Sequence, residues 1–117
     1  MSKVIELKEF QNEVKKLVKK YASLYDDIEI LKQVLEVEQN GIPGKIFEIP
    51  GLKLTNSKAY KVKKFRCKSL GKSKSDSGIR VVYGFKSLAP ETIYLIEIYY
   101  KGDRENEDRE RIKKYLD

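Results

Sequence analysis

The apolar residues of this 117-residue chain change their period once, between residues 40 and 59. Before the change, Leu7, Phe10, Val14, Leu17, Val18 and Tyr21 recur every three or four positions, which predicts an amphipathic helix over 8–21. Leu24, Ile28, Leu31 and Leu35 repeat the pattern as the stripe of a second helix. Ser23 followed by Asp26 resembles a capping box, Asp26 and Asp27 suit the positive end of the new dipole, and Asn40-Gly41 supplies a stop. The helices therefore read as an antiparallel hairpin with a very short turn. A short, partly β-branched run, KVIEL at 3–7, precedes them as an opening strand.

After the change the period is two. Strands are expected over 59–68, 77–86 and 92–101, the last two as hairpin neighbours around Lys86–Glu91, where Pro90 fits a turn. A Ser/Gly/Lys loop at 69–77 is expected to be mobile. Between the two regimes, residues 41–58 carry two prolines and three glycines, but also Ile42, Ile46, Phe47, Ile49, Leu52 and Leu54. Those apolar anchors make the segment an ordered connector within one domain spanning 1–117. Asp103 caps a last helix over 103–117, acidic early and basic late, as the dipole prefers. Only Ile112, Tyr115 and Leu116 offer that helix anything to bury, so it is expected to dock weakly.

The expected order is β-α-α-β-β-β-α, an α+β class in which the helical hairpin covers one face of a mainly antiparallel sheet and leaves a basic face open. Alternation assigns the faces. Ile79, Val81, Tyr83 and Phe85 point inward with Tyr60 and Val62, while Arg80, Lys61 and Lys63 point to the open side. Phe65 breaks the alternation, which calls for a bulge near Lys63-Lys64. In the last strand Tyr94, Ile96, Ile98 and Tyr100 form one face, and Leu95, Glu97 and Tyr99 the other.

The charge is segregated. Residues 57–86 hold ten Lys and Arg against Asp76 alone, a local net of +9, within a chain whose total is +7. Such a field attracts polyanions and its binding weakens with salt. The basic residues near the expected strands, Lys64, Arg66, Lys68, Lys72 and Lys74, are candidate RNA contacts, with Tyr99 as a platform on which a base stacks. The chain has no histidine, which excludes Ser–His–Asp and Cys–His triads, paired-histidine RNA hydrolysis and ordinary zinc sites. Cys67, the single cysteine, fits a reducing cytoplasm and reads as a small core residue. No run is apolar enough to span a membrane, and MSKVIELKEF lacks the apolar stretch of a secretory signal.

Metal-free RNA cleavage by the 2′-hydroxyl needs a base, cations for the phosphate and an acid for the leaving 5′-oxygen. Lys61 or Lys63, held among other cations, is a candidate base. Arg80 offers the planar fork that clamps a phosphate, and Lys101 and Arg104 follow the last strand as a further cation or acid. Glu97 and Glu107 are the carboxylates available to such a site.

Tyr60-Lys61-Val62-Lys63, then Ser77-Gly78-Ile79-Arg80-Val81-Val82-Tyr83, then an apolar strand ending in Tyr99-Tyr100-Lys101 resembles the RelE/ParE superfamily of bacterial toxins over nearly the whole chain. That resemblance implies the toxin of a toxin–antitoxin pair, silenced by a bound antitoxin and working without metal or small-molecule cofactor. RelE-like members cut mRNA on the ribosome, whereas ParE-like members poison DNA gyrase. The family's ribonucleases use an arginine after the last strand and a tyrosine early in the final helix. Here residues 101–108 read KGDRENED, with no tyrosine. A cytoplasmic ribosome-associated endoribonuclease, a gyrase inhibitor and a non-catalytic RNA-binding domain all remain open on these residues.

Overall fold

A computed structural model describes residues 3–70, 77–87 and 91–116. Strand β1 is Lys3–Glu6, helix α1 Lys8–Leu17, helix α2 Leu24–Val37, strand β2 Ile46–Glu48 and strand β3 Lys58–Val62. Strand β4 follows at Ile79–Phe85, β5 at Thr92–Tyr100 and helix α3 at Arg109–Leu116. The five strands form one sheet in the order β1-β5-β4-β3-β2, with β1 parallel to β5 and every other pair antiparallel. The class is α+β in the expected order, with one short strand, β2, added inside the connector. Most of the 69–77 loop, with Lys72 and Lys74, lies outside the described residues, as does Pro90 in the β4–β5 turn.

The helical hairpin covers one face. Phe10 and Val14 of α1 and Leu24, Ile28, Leu31 and Leu35 of α2 pack into one core with Tyr60, Val62, Ile79, Val81, Tyr83 and Phe85, as their spacing predicts. Tyr60 and Tyr83 stack with ring centroids 5.3 Å apart, and the Tyr83 hydroxyl donates to the Gln39 carbonyl at 2.9 Å. Burial, reinforced by the neighbouring Tyr60 phenol, pushes the Tyr83 phenol far above its ordinary range.

Helix α1 is shorter than its stripe. It stops at Leu17, whose carbonyl accepts both the Lys20 and Tyr21 N–H groups in a tight turn that still delivers Tyr21 to the core. Ser23 precedes α2 but makes no side-chain cap. Its hydroxyl donates to Asp27 at 2.7 Å, and the buried Asp27 carboxylate also accepts the Lys68 N–H. The expected cap residue thus ties the hairpin turn to the segment after β3. Cys67 is fully buried beside Ser23 and Ser69.

Two irregularities set the faces of the sheet. Strand β3 ends at Val62, and the successive N–H groups of Lys63 and Lys64 both donate to the Lys45 carbonyl, two residues opposing one. That extra residue returns Phe65 to the core, as expected. In β5 the pairing jumps from Val82↔Glu97 to Tyr83↔Leu95 and skips Ile96. The inserted residue shifts the phase by one, so the strand does not keep one face along its length. Ile93, Leu95 and Ile98 join the helical core, whereas Ile96 and Tyr99 lie on the other side. The assignment of Ile98 and Ile96 to one face is corrected by this bulge.

The second face is covered rather than open over much of β3–β5. Ile49, Leu52, Ala59, Val82, Ile96, Tyr99, Ile112 and Leu116 form a second core under α3 and the connector. Gly84 makes this possible: a Cβ there would stand 2.6 Å from the Leu116 side chain and 2.7 Å from the Lys58 carbonyl oxygen. The tail helix begins at Arg109, not at Asp103, and Asp108 caps it by accepting the Arg111 N–H at 3.1 Å. It is also clamped. Arg111 donates to both Glu13 oxygens at 2.9 and 3.1 Å and pairs with Glu9 at 3.2 Å, and Ser57 donates to the Leu116 carbonyl at 2.6 Å. Weak docking, expected from three apolar residues, is corrected by these long-range polar contacts.

Candidate nucleic-acid interface

The ladder itself brings the candidate side chains together. Lys61 pairs with Val82, Val82 with Glu97, and Arg80 with Tyr99, so all four polar residues stand in two adjacent rows on the second face. Lys61 and Arg80 come from period two alone. Glu97 and Tyr99 share that face because the β5 bulge lies before them.

Residues 101–108, between β5 and α3, pass over these rows. Glu107 pairs with Lys61 at 3.2 Å, and both side chains are largely withdrawn from solvent, at 5% and 13% exposure. Glu97 is completely buried. One of its oxygens accepts the Asp108 N–H at 2.9 Å, and the other forms an ion pair with Arg104. The Arg104 guanidinium lies over the Tyr99 ring, 4.9 Å from its centroid. Arg80 donates to the Lys63 carbonyl, just past the end of β3. Lys63 sends its ammonium over the Phe47 ring at 5.1 Å.

Tyr99 is the exceptional group. It is 6% exposed, and its hydroxyl is buried with no hydrogen-bond partner among the described residues. Burial, reinforced by the negative charge of Glu107 and opposed by Arg80, pushes its phenol up to about 12. At neutral pH it is a hydrogen-bond donor and not a base. A buried donor left unpaired costs about 1–3 kcal/mol, which an incoming acceptor would relieve.

Beside Lys61 the surface opens into a cavity of about 260 Å³ lined by Phe47, Glu48, Pro50, Lys61, Lys63 and Glu107, with Arg109 at its rim. Arg109 also holds the connector through the Pro50 carbonyl at 2.9 Å. The cavity thus offers cations, one exposed aromatic ring and two carboxylates.

The predicted residues do not all come together. Lys61, Lys63, Arg80, Glu97, Tyr99 and Arg104 converge around the second face. Lys64 and Arg66 do not: they border a different, mainly apolar groove with Ile30, Leu31, Ile42 and Val62, on the α2 side of the sheet. Lys68 lies in the 3₁₀ turn Lys68–Leu70, tied to Asp27. Lys101 is exposed in the turn after β5, where its N–H donates to the Gly78 carbonyl. The basic stretch is therefore continuous in sequence but divided in space, because the turn after Val62 carries the chain from one side of the sheet to the other. Nothing in the sequence marks Phe47 or Arg109 as a site residue: one reads as an apolar anchor of the connector and the other lies in a charge run, and neither belongs to a motif.

Among the described residues there is no cluster of three His, Cys, Asp or Glu arranged to hold a metal ion. No helix among them is long and apolar enough to cross a membrane. No family model, curated protein or solved structure matches the chain.

Proposed function

We propose that this protein is a toxin of a toxin–antitoxin pair that stops translation in the cytoplasm by cutting mRNA on the ribosome, as a metal-independent endoribonuclease. The observation that carries the reading is the meeting of Lys61, Arg80, Arg104 and the unpartnered Tyr99 hydroxyl on one face of β3–β5. The residues of the two strand motifs on which the family resemblance rests form the neighbouring rows of that face.

The chemistry is a transesterification within the RNA. The 2′-oxygen bonds to phosphorus, the bond from phosphorus to the 5′-oxygen breaks, and a 2′,3′-cyclic phosphate and a 5′-hydroxyl result. Arg80 clamps the non-bridging oxygens, where its fork fits two acceptors and its charge opposes the charge that develops. Tyr99, protonated throughout the physiological range, donates to the same phosphate. Lys61, as the ammonium that faces Glu107, and Lys63 or Arg104 hold the flanking phosphates, and the 2′-hydroxyl gives its proton to water. Water protonates the departing 5′-oxygen, which balances the proton given up by the 2′-hydroxyl. Glu97 takes no direct part, since it is fully buried and positions Arg104.

An acidic antitoxin segment would complement a stretch of this charge. Primer extension on mRNA translated in a purified system tests the reading, with the native protein beside Arg80→Ala. Ribosome-dependent cuts with the native protein that disappear in the variant are the expected result. Intact mRNA and unaffected translation would overturn it, and arrest of DNA supercoiling in a parallel gyrase assay would then identify the other branch of the superfamily.

A further inference from the structure

We propose that Glu107 is an internal stand-in for the substrate phosphate, and that the bow Glu105–Glu107 must lift from Lys61 before an RNA phosphate can enter. The inference rests on the reading of this face as an anion site, and adds how that site is regulated.

Three observations carry it. First, the Lys61–Glu107 pair is not an ordinary surface contact. At 13% and 5% exposure both groups are nearly out of water, and a carboxylate there presents the charge and acceptor oxygens that a phosphodiester would present. Second, Glu107 occupies the place without satisfying it. The Tyr99 hydroxyl is near enough to feel the charges of both Glu107 and Arg80, yet it bonds to neither. A phosphate has more acceptor oxygens than a carboxylate and can engage Lys61 and the phenol together.

Third, the covering segment is built to move locally. Residues 101–108 contain no apolar side chain, so nothing hydrophobic holds them down. Glu97 pins the segment on both sides of Glu107, through the Arg104 guanidinium and the Asp108 N–H. Beyond Asp108, α3 is anchored by Ile112, Leu116 and the Arg111 clamp. The three residues between the pins are attached to the site by the Glu107 carboxylate alone among the contacts described. They can bow outward while both pins and the helix stay in place.

The consequence is a competition. In the free chain an acidic side chain and an RNA phosphate seek the same ammonium, so removing the Glu107 charge should strengthen RNA binding beyond the effect of removing any nearby charge. Fluorescence anisotropy with a labelled single-stranded RNA oligonucleotide measures this for the native chain, Glu107→Gln, Glu105→Gln and Arg80→Ala at one salt concentration. Glu105 is exposed on the same bow and controls for the general field. Glu107→Gln should bind about tenfold more tightly and Glu105→Gln within about twofold of native, since one charge-assisted contact is worth about a factor of ten or more. Amide exchange of Asn106 and Glu107 should accelerate when RNA saturates the native chain.

Equal small gains in the two Gln variants would overturn the proposal, leaving Glu107 as background charge. Weaker binding by Glu107→Gln would overturn it too, by making the carboxylate part of the binding site. Both outcomes leave the anion-site reading intact as long as Arg80→Ala still weakens binding. If no variant differs from native and Arg80→Ala has no effect, the anion-site reading itself fails. The Gln substitution keeps the volume of Glu107, and unchanged far-ultraviolet circular dichroism would confirm that the compared proteins are folded.

Discussion

The two faces of the sheet are buried by different means. On the helical side nineteen buried residues among those described form one core from two helices, the four strands β2 to β5 and the segments between them, and the hydroxyl of its central Tyr83 is bonded. On the other side eight buried residues form a smaller core under one helix of eight residues, finished by ion pairs: Arg111 with Glu13, Lys61 with Glu107, Arg104 with Glu97. The first face is closed by apolar area, which is non-directional and strong in bulk. The second is closed in part by charge, which is directional, screened by salt and exchangeable for an external charge. A sheet that must both stay folded and admit a polyanion can divide those tasks between its faces.

The largest break in that comparison comes from the helical side. Phe10→Ala should cost about 3–5 kcal/mol in urea unfolding, through lost transfer energy and the cavity left behind. Ile112→Ala on the second face should cost about 2–4 kcal/mol at most, because a surface helix can collapse onto a smaller residue. Equal losses would mean that the smaller core is as cooperative as the larger. Gly84→Ala should destabilise by about 1–3 kcal/mol through the clash with Leu116 and the Lys58 carbonyl. Amide exchange would locate the damage in α3 and not in the hairpin.

The next effect is on pH. Tyr99 ionises at about 12 in the folded chain and near 10 when unfolded, so between these values the unfolded state alone has lost its proton. Its contribution to stability is intact below pH 10 and is lost as pH rises towards 12, at about 1.4 kcal/mol per pH unit. Tyr99→Phe should remove that share of the alkaline slope and lower RNA affinity. An alkaline limb unchanged from native would mean that the phenol is not held in the site as described. The smallest effect is on salt dependence. Lys61→Met should reduce the slope of log affinity against log salt for RNA by about 1, whereas Lys101→Met, in the exposed turn after β5, should change it less.

Much of the first face was legible in sequence. Phe10 and Val14 sit one turn apart on α1, Leu24, Ile28, Leu31 and Leu35 follow one another a turn apart on α2, Ile79, Val81 and Tyr83 alternate, and such patterns record which side of an element meets a core. Even the bulge after Val62 shows itself, because Phe65 is out of phase. The β5 bulge does not, since Ile96, Ile98 and Leu95 are all apolar and any of them can be inside. Its register is chosen by pairing with β4. The docking of the tail is illegible for a related reason: Ile112, Tyr115 and Leu116 carry no sign of Gly84, Ser57 and Glu13, which lie 28 or more positions away in the chain and hold it.

What the amino-acid sequence determined by itself is therefore local and periodic: two helical stripes, alternating strands, a basic stretch and a histidine-free choice of chemistry. Tertiary structure decided where that basic stretch divides, which face Glu97 and Tyr99 share, and which acid sits on Lys61. Periodicity arises from backbone geometry over a few residues, whereas a bulge register or a buried ion pair depends on partners brought close only when the sheet is assembled.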